Sequence, residues 1–122
     1  MLFRSIFFRK INAFFVVTKT DSAPATFETS APILVECMTM WLNNALHHQL
    51  PESKIIEEIE TLLSLKNELV FVLNEVGLGI IPDNSLSRKF VDLSGRIAQK
   101  LAEACDEVNW CVAGISVKIK SA

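Results

Sequence analysis

Hydrophobic positions along the chain fall into two kinds of pattern: short continuous runs of strand length, and stripes spaced by three or four. The densest run is Leu69 to Leu73, rich in β-branched and aromatic residues, and it reads as a buried strand. Asn74 and Glu75 follow where such a strand leaves the core. Gly77 and Gly79 then permit backbone conformations closed to other residues, and Pro82 bars immediate helix continuation. Upstream, Ile33 to Val35 forms a second strand with Glu36 at its end. From Met38 to Leu50, the residues Met38, Trp41, Leu42, Ala45 and Leu46 share one helical face until Pro51 breaks it. Ser53 is the expected N-cap of the next helix, whose stripe is Ile55, Ile56, Ile59, Leu62 and Leu63. Lys54, Glu57 and Glu60 lie largely opposite and form its solvated face.

The longest helix is expected from Ser87 to Glu107, burying Phe90, Leu93, Ile97, Leu101 and Ala104. Asp92 and Arg96 stand one turn apart on it and can pair. Gly95 inside it costs ~1 kcal/mol against Ala, so it marks either close packing or a nearby ligand. Trp110 to Ala113 reads as a third strand, and Ile115 to Lys120 adds an edge strand after Gly114. Strand, helix, helix, strand, helix, strand is the order of βαβ units. It predicts an α/β fold with a mostly parallel sheet, right-handed crossovers and flanking helices.

The first 20 residues change character. Arg4, Arg9, Lys10 and Lys19 are accompanied by no acid there, whereas all fourteen acidic residues and eight of the twelve basic ones lie beyond. A body with that acidic excess is a poor non-specific binder of nucleic acid, and none is expected as a partner. Ile11 to Val17 has the apolar character of a strand, a surface helix or the core of a signal peptide, with Ala23 and Ala25 resembling a cleavage pattern. Arg9, Lys10 and Asn12 interrupt that core, which favours a strand or an extension over export or membrane contact. Residues 18–32 are a Ser/Thr/Pro/Ala linker, so the chain divides into an N-terminal segment, 1–31, and an α/β domain, 32–122. Half of all residues are hydrophobic and 21% are charged, enough for a packed core. Three cysteines with no C-x-x-C pair argue against a disulfide framework or a zinc site and suit a reducing compartment. No apolar run approaches the ~20 residues that span a bilayer, and a cytoplasmic protein is expected.

Two carboxylates end core strands, Glu36 and Glu75, where this fold class commonly holds magnesium or orients a group near a phosphate. The phosphate cradle G-x-x-x-x-G-K-[ST] is missing, since Gly77, Gly79, Gly95 and Gly114 are followed by Leu, Ile, Arg and Ile. His47 and His48 are adjacent and point to different sides of a helix, so they read as surface or helix-end residues. No G-x-S-x-G is present to support a nucleophilic triad.

The stretch NEVGLGIIPDNSLSRKFVDLSGRIAQKLAEACDEV, continuing to GISVKIK, resembles the bifunctional adenosylcobinamide kinase/adenosylcobinamide-phosphate guanylyltransferases of cobalamin biosynthesis. Asn74, Glu75, Val76, Gly77, Gly79, Pro82, Arg88, Phe90, Asp92, Gly95, Arg96 and Gln99 fall on that family's pattern without a gap. ILVECMTMWLNNAL is similar to its second motif, a Walker-B-like strand running into a helix. Ala98 stands where the family usually has Asn, and Ser116 where Gly is common. The resemblance covers Pro32 to Lys120 and implies a fold related to P-loop NTPases that lacks the P-loop strand. It further implies GTP or ATP with magnesium, adenosylcobinamide as substrate, and GMP transfer through a guanylylated histidine. On that basis Glu36 is the nucleotide-binding residue and magnesium ligand. Thr39, Asn74, Glu75, Gly77, Gly79, Arg88, Asp92 and Arg96 lie at the active-site mouth.

The family's Gly-rich cradle with its Lys, and its guanylylated histidine, have no counterpart upstream of Ile33; Thr26 in PATFET takes the place of a family His. No catalytic residue is therefore assigned, and the expectation is a truncated C-terminal portion with little activity alone. The alternative is a non-catalytic α/β module that binds nucleotide weakly or pairs with another chain. Loss of a central strand would leave two neighbours unpaired, which Ile11 to Thr18 could repair as a substitute strand or a homo-oligomer could repair between copies.

Overall fold

A computed structural model of the chain describes residues 5–10 and 32–121. In chain order the elements are β1 (Ser5–Lys10), β2 (Ile33–Val35), α1 (Met38–His47) and α2 (Glu52–Ser64). They continue with β3 (Leu69–Asn74), α3 (Ser85–Ala104), β4 (Glu107–Val112) and β5 (Ile115–Lys120). The strands form one five-stranded sheet in the order β2-β3-β1-β4-β5.

This is an α/β fold, but neighbouring strands are not mostly parallel. Among the described residues only β2 and β3 pair parallel, with Ile33 opposite Leu69 and Val35 opposite Phe71. β1 runs antiparallel to both β3 and β4, and β4 and β5 form an antiparallel hairpin. The βαβ logic survives beneath this: β2, β3 and β4 all point the same way, and β1 is set between the last two in the opposite direction. A strand in that central place has two backbone edges to satisfy. Ser5 to Lys10 meets β3 from Asn74 to Leu69, and Ser5 to Arg9 meets β4 from Cys111 to Glu107. The strand that fills the centre is thus Ser5–Lys10; Ile11 to Thr18, expected in that role, lies outside the described residues.

Burial alternates strictly along β3, with Leu69, Phe71 and Leu73 fully buried and Val70 and Val72 half-buried. Ile33 and Val35 of β2 and Val108 of β4 join the same cluster. So do Met38, Leu42, Ala45 and Leu46 of α1, Ile55, Ile59 and Leu62 of α2, and Leu93, Ile97 and Leu101 of α3. Both crossovers, β2 to β3 and β3 to β4, step in the same direction along the sheet. With right-handed connections that puts all three helices on one face.

Helix ends show how local sequence sets these bounds. At the end of α1, Gln49 adopts φ 57°, its N–H bonds to the Leu46 carbonyl, and the Leu50 N–H reaches back to Ala45. This left-handed exit stops the helix at His47, before Pro51 could break it. Pro51, not Ser53, occupies the N-cap of α2, and its carbonyl accepts from Lys54 and Ile55. Asn84 caps α3 by accepting from Ser87 N–H at 2.8 Å, so the helix starts at Ser85 instead of Ser87. It ends at Ala104, because Cys105 is extended and Glu107 already belongs to β4.

The central position of β1 predicts the effect of its loss. Deleting Met1 to Lys10 strands the facing backbone groups of β3 and β4, each costing about 1–3 kcal/mol when buried, against a domain stability of about 5–15 kcal/mol. The shortened chain is expected to lose its cooperative thermal transition by circular dichroism. An unchanged melting temperature would show the segment to be dispensable.

Candidate functional site

The site is built where β3 leaves the core. A cleft of about 30 Å³ lies between its exit, Leu73 to Gly77, and one side of α3 formed by Val91, Ser94, Gly95 and Ala98. Open-sheet α/β proteins bind ligands outside the carboxyl ends of their strands, and this cleft is in that place. A Cβ added at Gly95 would meet no atom within 4 Å, so this glycine leaves open space beside the cleft and close packing does not account for it.

Several expected site residues are brought together here, each with a definite local task. The Thr39 hydroxyl, in the first turn of α1, accepts the Asn74 backbone N–H at 2.9 Å. That bond ties the last residue of β3 to the start of the helix following β2, joining the two strand ends that carry Glu75 and Glu36. The Glu75 carboxylate turns back onto its own loop and accepts the Gly77 N–H at 2.6 Å. A Cβ at Gly77 would stand 2.9 Å from the same oxygen, so a larger residue there would push the Glu75 carboxylate aside. Beyond it the loop exposes Leu78, Ile80 and Ile81, the last two 97% and 81% accessible.

Arg88 fixes the far end of that loop. Its Nη1 donates to the carbonyl of Pro82 at 3.0 Å and of Asp83 at 2.7 Å, just ahead of the Asn84 cap. Asp92 and Arg96 do not line the cleft. Arg96 pairs with Glu52 at the start of α2 instead of with Asp92 one turn away, and so joins two helices. Gly79 is in the exposed part of the loop, with open space around it.

Glu36 is exposed at the end of β2. Among the described residues no group of three His, Cys, Asp or Glu side chains is placed to hold a metal ion. A lone exposed carboxylate fits magnesium only where phosphate and water oxygens complete the shell, which is how that ion is commonly held. His47 and His48 are both exposed, ring centroids 5.6 Å apart, at the opposite end of α1 from Thr39. At 1.5 Å per residue the helix carries them roughly 12 Å away from the cleft end. Cys105 is buried, Cys37 and Cys111 are partly buried, and none of the three is in a disulfide.

Sequence reasoning missed Val91, Ser94 and Ala98 as cleft-lining residues. The available signal was the spacing of Ser94, Gly95 and Ala98, small side chains that share one side of α3. It also missed Glu52 as the partner of Arg96, which nothing in the local spacing indicates.

The fold and the cleft define an α/β protein with a small cleft outside the carboxyl end of a core strand. Residues 9–119 match the pattern of the cobinamide kinase / cobinamide phosphate guanyltransferase family, and the chain belongs to that family. It is 39% identical over 97 residues to the bifunctional adenosylcobalamin biosynthesis protein CobP of Pseudomonas aeruginosa, covering 76% of this chain and 56% of the relative. It is 40% identical over 104 residues to the bifunctional adenosylcobalamin biosynthesis protein CobU of Salmonella typhimurium, covering 72% and 58% respectively. The Escherichia coli protein of the same name is 38% identical over 104 residues. The chain thus spans somewhat over half the length of the curated relatives it matches.

The Thr39 bond is open to a direct test. In Thr39→Val the methyl keeps the shape but removes the acceptor, leaving the part-buried Asn74 N–H unpaired. A loss of about 1–2 kcal/mol in denaturant unfolding is expected, with faster hydrogen exchange at Asn74 than at mid-strand Phe71. Unchanged exchange at Asn74 would show that the bond does not hold the strand exit.

Proposed function

We propose that this chain carries the strand-end part of an adenosylcobinamide kinase and adenosylcobinamide-phosphate guanylyltransferase site, and that its ligands are GTP or ATP and adenosylcobinamide. The observation that carries the reading is the cleft between the Asn74-Glu75-Val76-Gly77 exit and Gly95, which lies inside the region matched to the family. Within it, Glu36 would hold magnesium, which supplies charge neutralisation to bound phosphates. Thr39 fixes the strand exit, Glu75 and Gly77 shape the near wall, and Arg88 sets the loop above. Asp92 and Arg96 lie outside the cleft, where Arg96 pairs with Glu52 of α2, while the buried Leu93, Ile97 and Leu101 of α3 set the position of Gly95. Residues 32–122 form the α/β part of this site, a relation to P-loop NTPases is the fold-level expectation, and a soluble cytoplasmic location suits the chemistry. Among the described residues no helix is long and apolar enough to cross a membrane.

A second reading, weak nucleotide binding without catalysis, is favoured by where the chemistry is committed. The Glu75 carboxylate is engaged by its own loop, and the sequence has no Gly-Lys cradle. Without a cradle of backbone N–H groups and its Lys, a triphosphate loses its main charge-assisted hydrogen bonds. The chain alone is therefore expected to bind GTP with magnesium only at millimolar concentration, on the order of -4 kcal/mol, by calorimetry. Amide resonances of Glu36, Asn74 to Gly77 and Gly95 should shift during the titration, and Gly95→Leu, which fills the open space, should abolish the shifts. With labelled GTP no acid-labile adduct is expected, because His47 and His48 lie away from the cleft. Micromolar, magnesium-dependent affinity would contradict the weak-binding reading. Shifts confined to another face would contradict the assignment of the site.

A further inference from the structure

Ser94 is a polar residue in the buried face of α3. It lies between Leu93 and Ile97, is 2% exposed, and lines the cleft beside Gly95 and Ala98. Helix hydroxyls commonly turn back onto a carbonyl about one turn away, as Thr61 does to Glu57 at 2.9 Å and Ser64 does to Thr61 at 2.7 Å. The Ser94 hydroxyl makes no such bond to any described residue, yet it is not sealed in the core: it opens on the cleft. A buried hydroxyl left without a partner is costly, so a serine in this place points to a partner that arrives from outside.

Two properties of the cleft narrow what that partner is. Its volume of about 30 Å³ holds a water-sized group and little more, so a ring or a phosphoryl group stays outside. On the wall formed by the strand exit, the Glu75 carboxylate accepts the Gly77 N–H at 2.6 Å and keeps lone pairs for a further donor. A phosphate oxygen would bring like charge to that carboxylate. An ammonium would bring the right charge, but would have to shed its strong hydration in a cleft too small to keep water with it. A hydroxyl fits both walls: its O–H donates to Glu75 and its oxygen accepts from Ser94. We propose that the cleft is a subsite for one uncharged hydroxyl group of a bound molecule, held between Ser94 Oγ and the Glu75 carboxylate, and that phosphates stay outside it. This rests on the reading of the cleft as part of the ligand site and adds which part of a ligand enters it. Ser94 is then a specificity residue, and no bond is made or broken there.

Ethanol, ethylammonium and inorganic phosphate, titrated separately into the full chain at constant pH and ionic strength, separate these chemistries by amide chemical shifts. Ethanol is expected to give saturable shifts at Gly77, Ser94 and Gly95 in the millimolar to molar range, and the other two probes none at those positions. Ser94→Ala should weaken ethanol binding about tenfold and leave the thermal midpoint unchanged or raised, since the hydroxyl has no partner in the fold to lose. Shifts by ethylammonium or phosphate as large as those by ethanol, ethanol shifts that do not saturate, or ethanol binding unaltered in Ser94→Ala would each overturn the proposal. So would a lowered midpoint in Ser94→Ala, which would show that the hydroxyl serves the fold. Ethanol carries no feature of a nucleotide, so its failure to bind here leaves the family reading to the GTP titration. GTP shifts confined to another face would, conversely, leave the hydroxyl subsite standing.

Discussion

Pairing at the centre of the sheet is the constraint on which the other features rest. β3 and β4 run the same way but do not touch, and each presents a ladder of backbone groups to the gap between them. Ser5 to Lys10 closes it by exchanging hydrogen bonds on both sides, antiparallel to each neighbour. A buried backbone group without a partner costs as much as a lost hydrogen bond, and several would rival the stability of a whole domain. The helical layer depends on the same closure. α3 packs over the position of β1 on its way from β3 to β4, and its buried residues Leu93, Ile97 and Leu101 belong to one cluster with Phe71 and Val108.

That layer also creates the cleft. With right-handed crossovers that step the same way, α1 and α3 come to the carboxyl end of β3 from one side. Thr39 then reaches Asn74, and the small residues Ser94, Gly95 and Ala98 come down beside Glu75 and Gly77. Most polar groups around the cleft are spent on shaping it. Glu75 closes its loop, Asn84 and Arg88 fix the entry to α3, and Arg96 reaches away to α2. Glu36 is the exposed carboxylate at the neighbouring strand end, which suits an ion that brings its own oxygen ligands.

The surface ion pairs contribute little beside this. Lys54–Glu57 and Lys100–Glu60 join exposed or half-exposed side chains, and pairs of that kind are worth about 0–1 kcal/mol. The contacts of Lys118 and Lys120 matter for a different reason. Lys118 pairs with Glu107 across the β4–β5 hairpin and Lys120 donates to the carbonyls at the end of α3, so both tie the edge strand to the rest of the fold.

Periodicity alone determined the existence and order of β2, α1, α2, β3, α3, β4 and β5; all but the exposed β5 bury residues of one face, and their hydrophobic spacing records which. It also placed the polar exit Asn74 to Gly77 after the core strand, and the family pattern lies in those same residues. Element ends were legible only where a residue's backbone chemistry is strong. Pro51 separated two helices, but a left-handed Gln49 ended α1 earlier, and Asn84 outweighed Ser87 as the start of α3. What tertiary structure decided was the sheet's centre. Ile6, Phe7 and Phe8 are a run of three between Ser5 and Arg9, too short to signal a strand alone, and became one because two open ladders required a partner. The same contest placed Arg96 with Glu52 instead of Asp92. Helix spacing fixes which residues could meet within one helix, but only packing brings a residue 44 positions away within reach.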